Sequence, residues 1–291
     1  MLNESILMGS LVKKLGLWLL ILIMFAGCST KVGYYFLDWA IEWKLEEYVT
    51  LNDEQQRQFE VALDEFLVWH RTQELPRYQA QLSQLLAEFN NQSFTLQSWN
   101  DHVVSAKSHW TRVFDFVEPS LVPIISSFSD QQVEQIIAQL RVDEKELNKK
   151  YLGKSQSELI DMADKRIEKR LKRWMGKLTT AQKLAVHEYN VARGDTLDMW
   201  LEYRHEWIRL FSQALKNRHN QMALSHSLSL LMTQPDTVKS KAYKTVLENN
   251  SKEFGMLLID IEKLASSKQK QRFNKKLNTL IKELTEISQE D

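Results

Sequence analysis

Leu178-Thr179-Thr180-Ala181-Gln182 reads as the first turn of a helix. The threonine hydroxyl accepts from a free amide one turn on, and the glutamine three residues later reaches back to the threonine amide. Leu51-Asn52-Asp53-Glu54-Gln55, Phe128-Ser129-Asp130-Gln131-Gln132 and Ala265-Ser266-Ser267-Lys268-Gln269 repeat this grammar. Each such cap is worth ~1 kcal/mol. Helices are therefore expected to begin near Asn52, Ser129, Thr179 and Ser266. Only Phe128 also has an apolar residue, Val133, placed to complete a hydrophobic staple; Gln56, Lys183 and Lys270 are polar at that position.

Between these starts the apolar residues recur at helical spacing. Phe59, Leu63, Phe66 and His70 share a face with Ala62 and Trp69. Val133, Ile136, Ile137 and Leu140 form another stripe, as do Leu257, Leu258, Ile261 and Leu264, and Phe273, Leu277, Leu280 and Leu284. The whole chain holds 8 glycines and 4 prolines, too few for the turns a sheet protein needs. No glycine-rich phosphate loop is present, which removes P-loop and Rossmann nucleotide folds. The fold class is all-α, a multi-helix array of about eight to eleven helices. Breaks are expected at Pro76, Asn90-Asn91, Glu118-Pro119, Leu152-Gly153, Arg193-Gly194-Asp195 and Pro235-Asp236. The four starts fit two duplicated halves, 34–177 and 178–291; the competing reading is independent reuse of a good cap.

The first 27 residues have a different character. Lys13 and Lys14 precede an unbroken apolar run from Leu15 to Phe25, and Ala26-Gly27 then lead into Cys28. Basic flank, apolar segment and small-residue exit are the order of a secretory signal. The run is well short of the ~20 residues that span a bilayer. Phe25-Ala26-Gly27-Cys28 resembles the lipobox of bacterial lipoproteins, apart from Phe25 where that pattern prefers leucine. The resemblance implies cleavage between Gly27 and Cys28 and lipidation of Cys28 by a diacylglycerol thioether and an N-acyl chain such as palmitate. A conventionally cleaved or uncleaved signal is the alternative. By resemblance to lipoprotein sorting, Ser29 (rather than aspartate) after the cysteine implies the outer membrane, facing the periplasm. Cys28 is the sole cysteine of the chain, so no internal disulfide forms.

The expected organisation is thus a signal peptide over 1–27, a lipidated N-terminus and short tether over 28–33, and a helical domain over 34–291. Residues 28–291 carry 36 basic and 37 acidic side chains. Such a balance draws the domain neither to nucleic acid nor to a membrane. The short tether holds the body against the bilayer. Tyr34, Tyr35 and Phe36, with Trp39 and Trp43, read as an interfacial aromatic belt at the membrane surface; alternatively Phe36, Trp39, Trp43 and Glu47 trace one helix face packed on the core.

Two families are similar. The stretch Tyr35, Asp38, Trp39, Trp43 and Tyr48, then Leu51–Gln55, Trp69-His70-Arg71 and Glu74-Leu75-Pro76 with Tyr78, resembles a gammaproteobacterial family of helical lipoproteins, a domain of unknown function. That resemblance implies localisation and fold and supplies no mechanism. More loosely, Leu178-Thr179 with Gln182 looks like the repeated element of small helical periplasmic stress chaperones, which hold unfolded clients on a concave surface.

Trp69, His70, Arg71, Glu74 and Tyr78 form the densest cluster, ahead of a proline expected to bend or end its helix. They are the candidate ligand or partner site; a structural kink with a packed tryptophan is the alternative. No His-x-x-x-His pair and no Gly-x-Ser-x-Gly elbow occurs. Neither metal site, cofactor nor catalytic set is therefore expected. The basic run Lys165–Trp174 reads either as an anion-facing surface or as a solvated helix face. The function expected is a non-enzymatic envelope interaction protein, with a chaperone-like binder of unfolded clients as the alternative. Its expected partners are the membrane, through lipid on Cys28, and other envelope proteins.

Overall fold

All four expected starts are helix N-termini closed by complete capping boxes. Asn52, Ser129, Thr179 and Ser266 each accept from the amide three residues on. The glutamines at 55, 132, 182 and 269 accept from the cap amides at 3.0, 2.8, 3.0 and 2.9 Å. Thr95 with Ser98 and Ser155 with Glu158 form two more. The sequence pattern passed over these because it required glutamine at the third helical position.

The computed structural model describes residues 30–290. Its elements are α1 (Thr30–Tyr35), α2 (Leu37–Glu46), α3 (Asp53–Trp69), a π-helical turn (His70–Glu74), α4 (Leu75–Asn90), α5 (Leu96–Ser126), α6 (Asp130–Tyr151), α7 (Gln156–Met175), α8 (Thr180–Ala192), α9 (Leu197–Lys216), α10 (Gln221–Thr233), a 3₁₀ turn (Pro235–Thr237), α11 (Lys241–Lys263) and α12 (Ser267–Ser288). With α3, the π turn and α4 counted as one rod, these are 11 helices, and no strand occurs among the described residues. The expected all-α array is the observed one. The signal segment, Gly27 and Cys28 lie outside the described residues.

Helices end where Asn90, Leu152-Gly153, Arg193-Gly194 and Pro235 were expected to end them. Two proline expectations fail. At Pro76 the rod continues, because the preceding turn widens: the Leu75 amide reaches back five residues to His70 O, and Pro76 falls in the first turn of α4, where its missing amide costs least. At Glu118-Pro119 there is no break, since α5 runs through both Pro119 and Pro123. Phe114, Val122 and Ile124 are buried around these prolines. Their packing outweighs the ~3 kcal/mol that an interior proline costs.

The capping glutamines do more than cap. Gln55 and Gln132 exchange side-chain hydrogen bonds at 3.3 and 2.6 Å, and the Gln132 amide also donates to Thr50 O at 2.8 Å. Gln182 and Gln269 repeat the clasp at 3.2 and 2.9 Å, with the Gln269 amide donating to Lys177 O at 2.9 Å. Each clasp ties two helix starts that lie on the same side of residue 177. Helices from the two sides nevertheless interleave: α4 lies along α12, α5 against α10 and α11, and α7 against α8 and α12. Gly255 lets α11 approach α5, where a Cβ would fall 2.5 Å from the Trp99 ring.

Gln182 is fully buried. Gln182→Ala should therefore cost about 1–3 kcal/mol by leaving partners unsatisfied, read from urea unfolding. A change smaller than about 0.5 kcal/mol, the size of an ordinary surface substitution, would show that the clasp is energetically idle.

The main apolar cluster joins Phe59 and Leu63 of α3, Val133, Ile136 and Ile137 of α6, Ile124, Phe128 and Leu215. A second feature fixes where the chain enters the body. Lys31 pairs with Glu290 and Glu286 at 2.5 and 3.7 Å, Tyr35 Oη donates to Glu290 at 2.6 Å, and the Thr30 amide donates to Glu283 at 2.7 Å. The first helix is thus fastened to the last. The tether expected over 28–33 is consequently helical from Thr30 on, because these carboxylates hold its first turn.

Candidate functional site

The π turn sends the sequence candidates in different directions. Trp69 stacks on Phe116 of α5, with ring centroids 4.4 Å apart. Arg71 is half-buried, and its Nε has no hydrogen-bond partner among the described residues. Glu74 is fully buried and turns towards α5. Arg112 donates to it through Nε at 2.9 Å and Nη2 at 2.8 Å, and His109 Nδ1 closes on the same carboxylate. Burial pushes the Glu74 carboxyl up, but the Arg112 and His109 hydrogen bonds and charges outweigh it and hold the group below its ordinary range. The polar seam then runs on. His109 Nε2 lies 2.8 Å from Gln81 Oε1, Gln81 Nε2 donates to His102 O at 2.9 Å, and His102 Nε2 lies 3.0 Å from Glu88.

His70 and Tyr78 go the other way, into a cleft against α1 and α12. Tyr34 Oη lies 3.1 Å from His70 Nδ1, and its ring stacks on the imidazole at 5.8 Å. Tyr78 meets the His70 ring edge-on at 5.5 Å. Burial lowers the His70 pKa to about 4, against a smaller upward pull from Glu74. Burial also pushes the Tyr34 and Tyr78 hydroxyls up to about 12. All three therefore stand neutral at pH 7. Of the five candidates, the structure joins His70 with Tyr78, links Tyr78 to the Glu74 network through the His109 ring, which it meets edge-on at 4.5 Å, and packs Trp69 on α5.

Tyr34 was expected at the membrane surface. It is instead buried, because its hydroxyl finds His70 and its ring faces α12. Tyr35, Phe36 and Trp39 are each more than half exposed, with Val32 beside them.

Two clefts flank α1 and α2. One, of about 640 Å³, is bounded by Tyr34, His70, Tyr78, Leu82, Leu277 and Leu280. The other, of about 630 Å³, lies between α2, α5 and α6 and is bounded by Ile41, Leu45, Phe59, Ile125 and Leu140, with Lys44 and Tyr48 as its polar members. Leu37 borders both. Their sizes fall within the ~300–1,000 Å³ of small-ligand pockets. Among the described residues no three metal-ligating side chains converge, and no helix is long and apolar enough to cross a membrane.

A family of unknown function matches residues 47–244, a span that includes the π turn, the Glu74 seam and most walls of the second cleft. The chain belongs to this family, DUF6279. No curated protein and no solved structure matches it. In this DUF6279 chain the matched span leaves out α1, α2 and α12. It therefore contains the buried seam whole and the first cleft only in part.

The sequence missed His109, Arg112, Gln81 and His102 as partners of the cluster. A signal was present. Glu74, Gln81 and Glu88 recur every seven residues, and so do His102 and His109. Seven-residue steps keep one helix face, and on paired helices such faces meet.

Proposed function

We propose that this is an outer-membrane lipoprotein, anchored through Cys28 and facing the periplasm, that binds and does not catalyse, and that its body takes up the acyl chain of a membrane lipid. One observation carries the reading: two apolar clefts of acyl-chain size flank the helices that immediately follow the lipid-bearing cysteine. The export-signal pattern and the lone Cys28 support the anchor. Val32, Tyr35, Phe36 and Trp39, exposed on α1 and α2, suit the headgroup layer, where amphipathic aromatics settle. Non-enzymatic action is supported by the state of the ionisable groups. In the first cleft His70 is neutral among aromatic rings, and in the second Lys44 and Tyr48 are held by Glu47 and Asp143 at 2.7 and 2.6 Å, while the nearby Glu74 is saturated by Arg112 and His109.

Two measurements test the reading separately. Cys28→Ser should move the protein from the membrane to the soluble fraction; an unchanged membrane fraction overturns the anchor. For the cleft, the full chain in phosphatidylcholine vesicles would be illuminated with a photoactivatable palmitate. Adducts should map to cleft residues such as Leu45, Ile125 or Leu280 and be displaced by unlabelled palmitate. Adducts confined to Phe36 and Trp39 would show surface contact only and overturn the cleft assignment.

The chaperone-like alternative is favoured by one observation, the opening of both clefts to solvent. It predicts that palmitate competes with suppression of client aggregation.

A further inference from the structure

A third cleft, of about 500 Å³, lies where α6, α7 and the connection from α8 to α9 meet, and its chemistry is opposite to that of the first two. Lys150, Lys165, Arg166 and Arg193 all border it. Among the described residues none of the four makes an ion pair. Asp195 also borders the cleft and accepts the Leu197 amide at 3.0 Å, whereas Asp164 holds His187 and Asn190 at 2.7 and 2.8 Å and Glu168 pairs with Lys183 at 3.3 Å. Arg193 is set in place by its Nε donating to the buried Asn190 Oδ1 at 3.0 Å. The rest of the wall is mostly apolar, with Leu159, Ile160, Met162 and Leu197 beside an aromatic pair. Tyr151 and Trp200 meet at right angles with centroids 6.0 Å apart.

Four cations against the single carboxylate of Asp195 leave the cleft net positive, which favours an incoming anion. A guanidinium fork matches phosphate oxygens in pairs, while Trp200 offers flat apolar surface to a ring; the Tyr151 ring carries Lys150 Nζ at 5.2 Å from its centroid. We infer that this cleft binds a phosphate-bearing sugar, with its phosphate between Arg166 and Arg193 and its ring against Trp200. The phosphosugar comes either free in solution or as the headgroup of a glycolipid. The basic run Lys165–Trp174 then divides by face: Lys165 and Arg166 border the site, whereas Lys169 and Arg170 are solvated and lie outside it.

The test uses the full chain carrying Cys28→Ser, so that the proposed lipid anchor does not itself carry it onto vesicles. Glucosamine 6-phosphate would be titrated by calorimetry, and flotation would be scored with phosphatidylcholine vesicles with and without a phosphorylated glucosamine lipid. Saturable binding of either probe is expected, weakened at least about tenfold by Arg166→Gln and by Arg193→Gln, as loss of a charge-assisted phosphate contact implies. Lys169→Gln and Arg170→Gln should leave it unchanged. Among the described residues Arg166 has no hydrogen-bond or ion-pair partner, so its variant tests the site even if Arg193→Gln disturbs Asn190. Binding of the soluble sugar identifies a free ligand. Vesicle binding alone, lost in Arg166→Gln, identifies the lipid-borne one. Absence of binding to both probes, or equal losses in all four variants, overturns the inference.

Discussion

Arg112→Leu should lower stability by about 3 kcal/mol or more at pH 7, because it leaves the fully buried Glu74 carboxylate with its main partner gone. Arg112 itself is one-third exposed, so the loss of its own charge is screened. The cost lies in the anion it abandons. Glu74→Gln should be milder, about 1–2 kcal/mol, since the amide keeps one acceptor for Arg112. Removing both partners, in Glu74→Leu with Arg112→Leu, should recover most of the loss.

The pH dependence carries a sign that checks this account. In the native protein the Glu74 pKa is depressed below 4.5, so its contribution is present above that value and is lost as pH falls through the folded pKa. In Arg112→Leu the balance tips to burial, the folded pKa rises above 4.5, and the penalty grows with pH. The variant's deficit, from urea unfolding, should therefore shrink from pH 7 towards pH 4. A deficit below about 1 kcal/mol at pH 7, typical of an exposed pair, would refute the buried-pair account.

His70 sets the second large effect. Its folded pKa is about 4 against 6.5 for the free side chain. The unfolded chain takes up the proton first. Stability is then full above pH 6.5, falls as pH drops towards 4, and levels off below, with a total of about 3 kcal/mol. His70→Phe fits the ring environment of Tyr34, Phe66 and Tyr78 and should abolish this slope. Tyr34 Oη keeps Leu67 O as an acceptor at 3.4 Å. The informative comparison is wild type minus His70→Phe between pH 6.5 and 5, above the range where Glu74 titrates. Parallel curves there would assign the acid sensitivity to other groups.

What the sequence made legible was local. A cap and its glutamine are three residues apart, so Asn52, Ser129, Thr179 and Ser266 could be read without knowing the fold. The clasps between Gln55 and Gln132 and between Gln182 and Gln269 span 77 and 87 residues, and nothing in the caps names the partner. Prolines misled for a related reason. Their cost is local, but a π turn at Pro76 and buried neighbours around Pro119 offset it through surroundings that a single segment does not display. The candidate cluster was found as a neighbourhood and misjudged as a unit. His70 and Glu74 sit one turn apart in sequence, yet they bond to different helices, His70 to Tyr34 of α1 and Glu74 to Arg112 and His109 of α5. The clefts were illegible altogether, because an unfilled volume is set by which helices fail to close against each other.

The fastening of α1 to α12 has a consequence for how the protein is made. Lys31, Tyr35 and the Thr30 amide find their carboxylates about 250 residues later. Chain delivered N-terminus first therefore presents its opening helix long before the closing one arrives. Until then the wall that α12 gives to the Tyr34–His70 cleft is missing and apolar surface stands open. Maturation should end in a late zippering step, in which the final helix to emerge locks the first, and stalled or C-terminally shortened chains should be the ones that proteases remove.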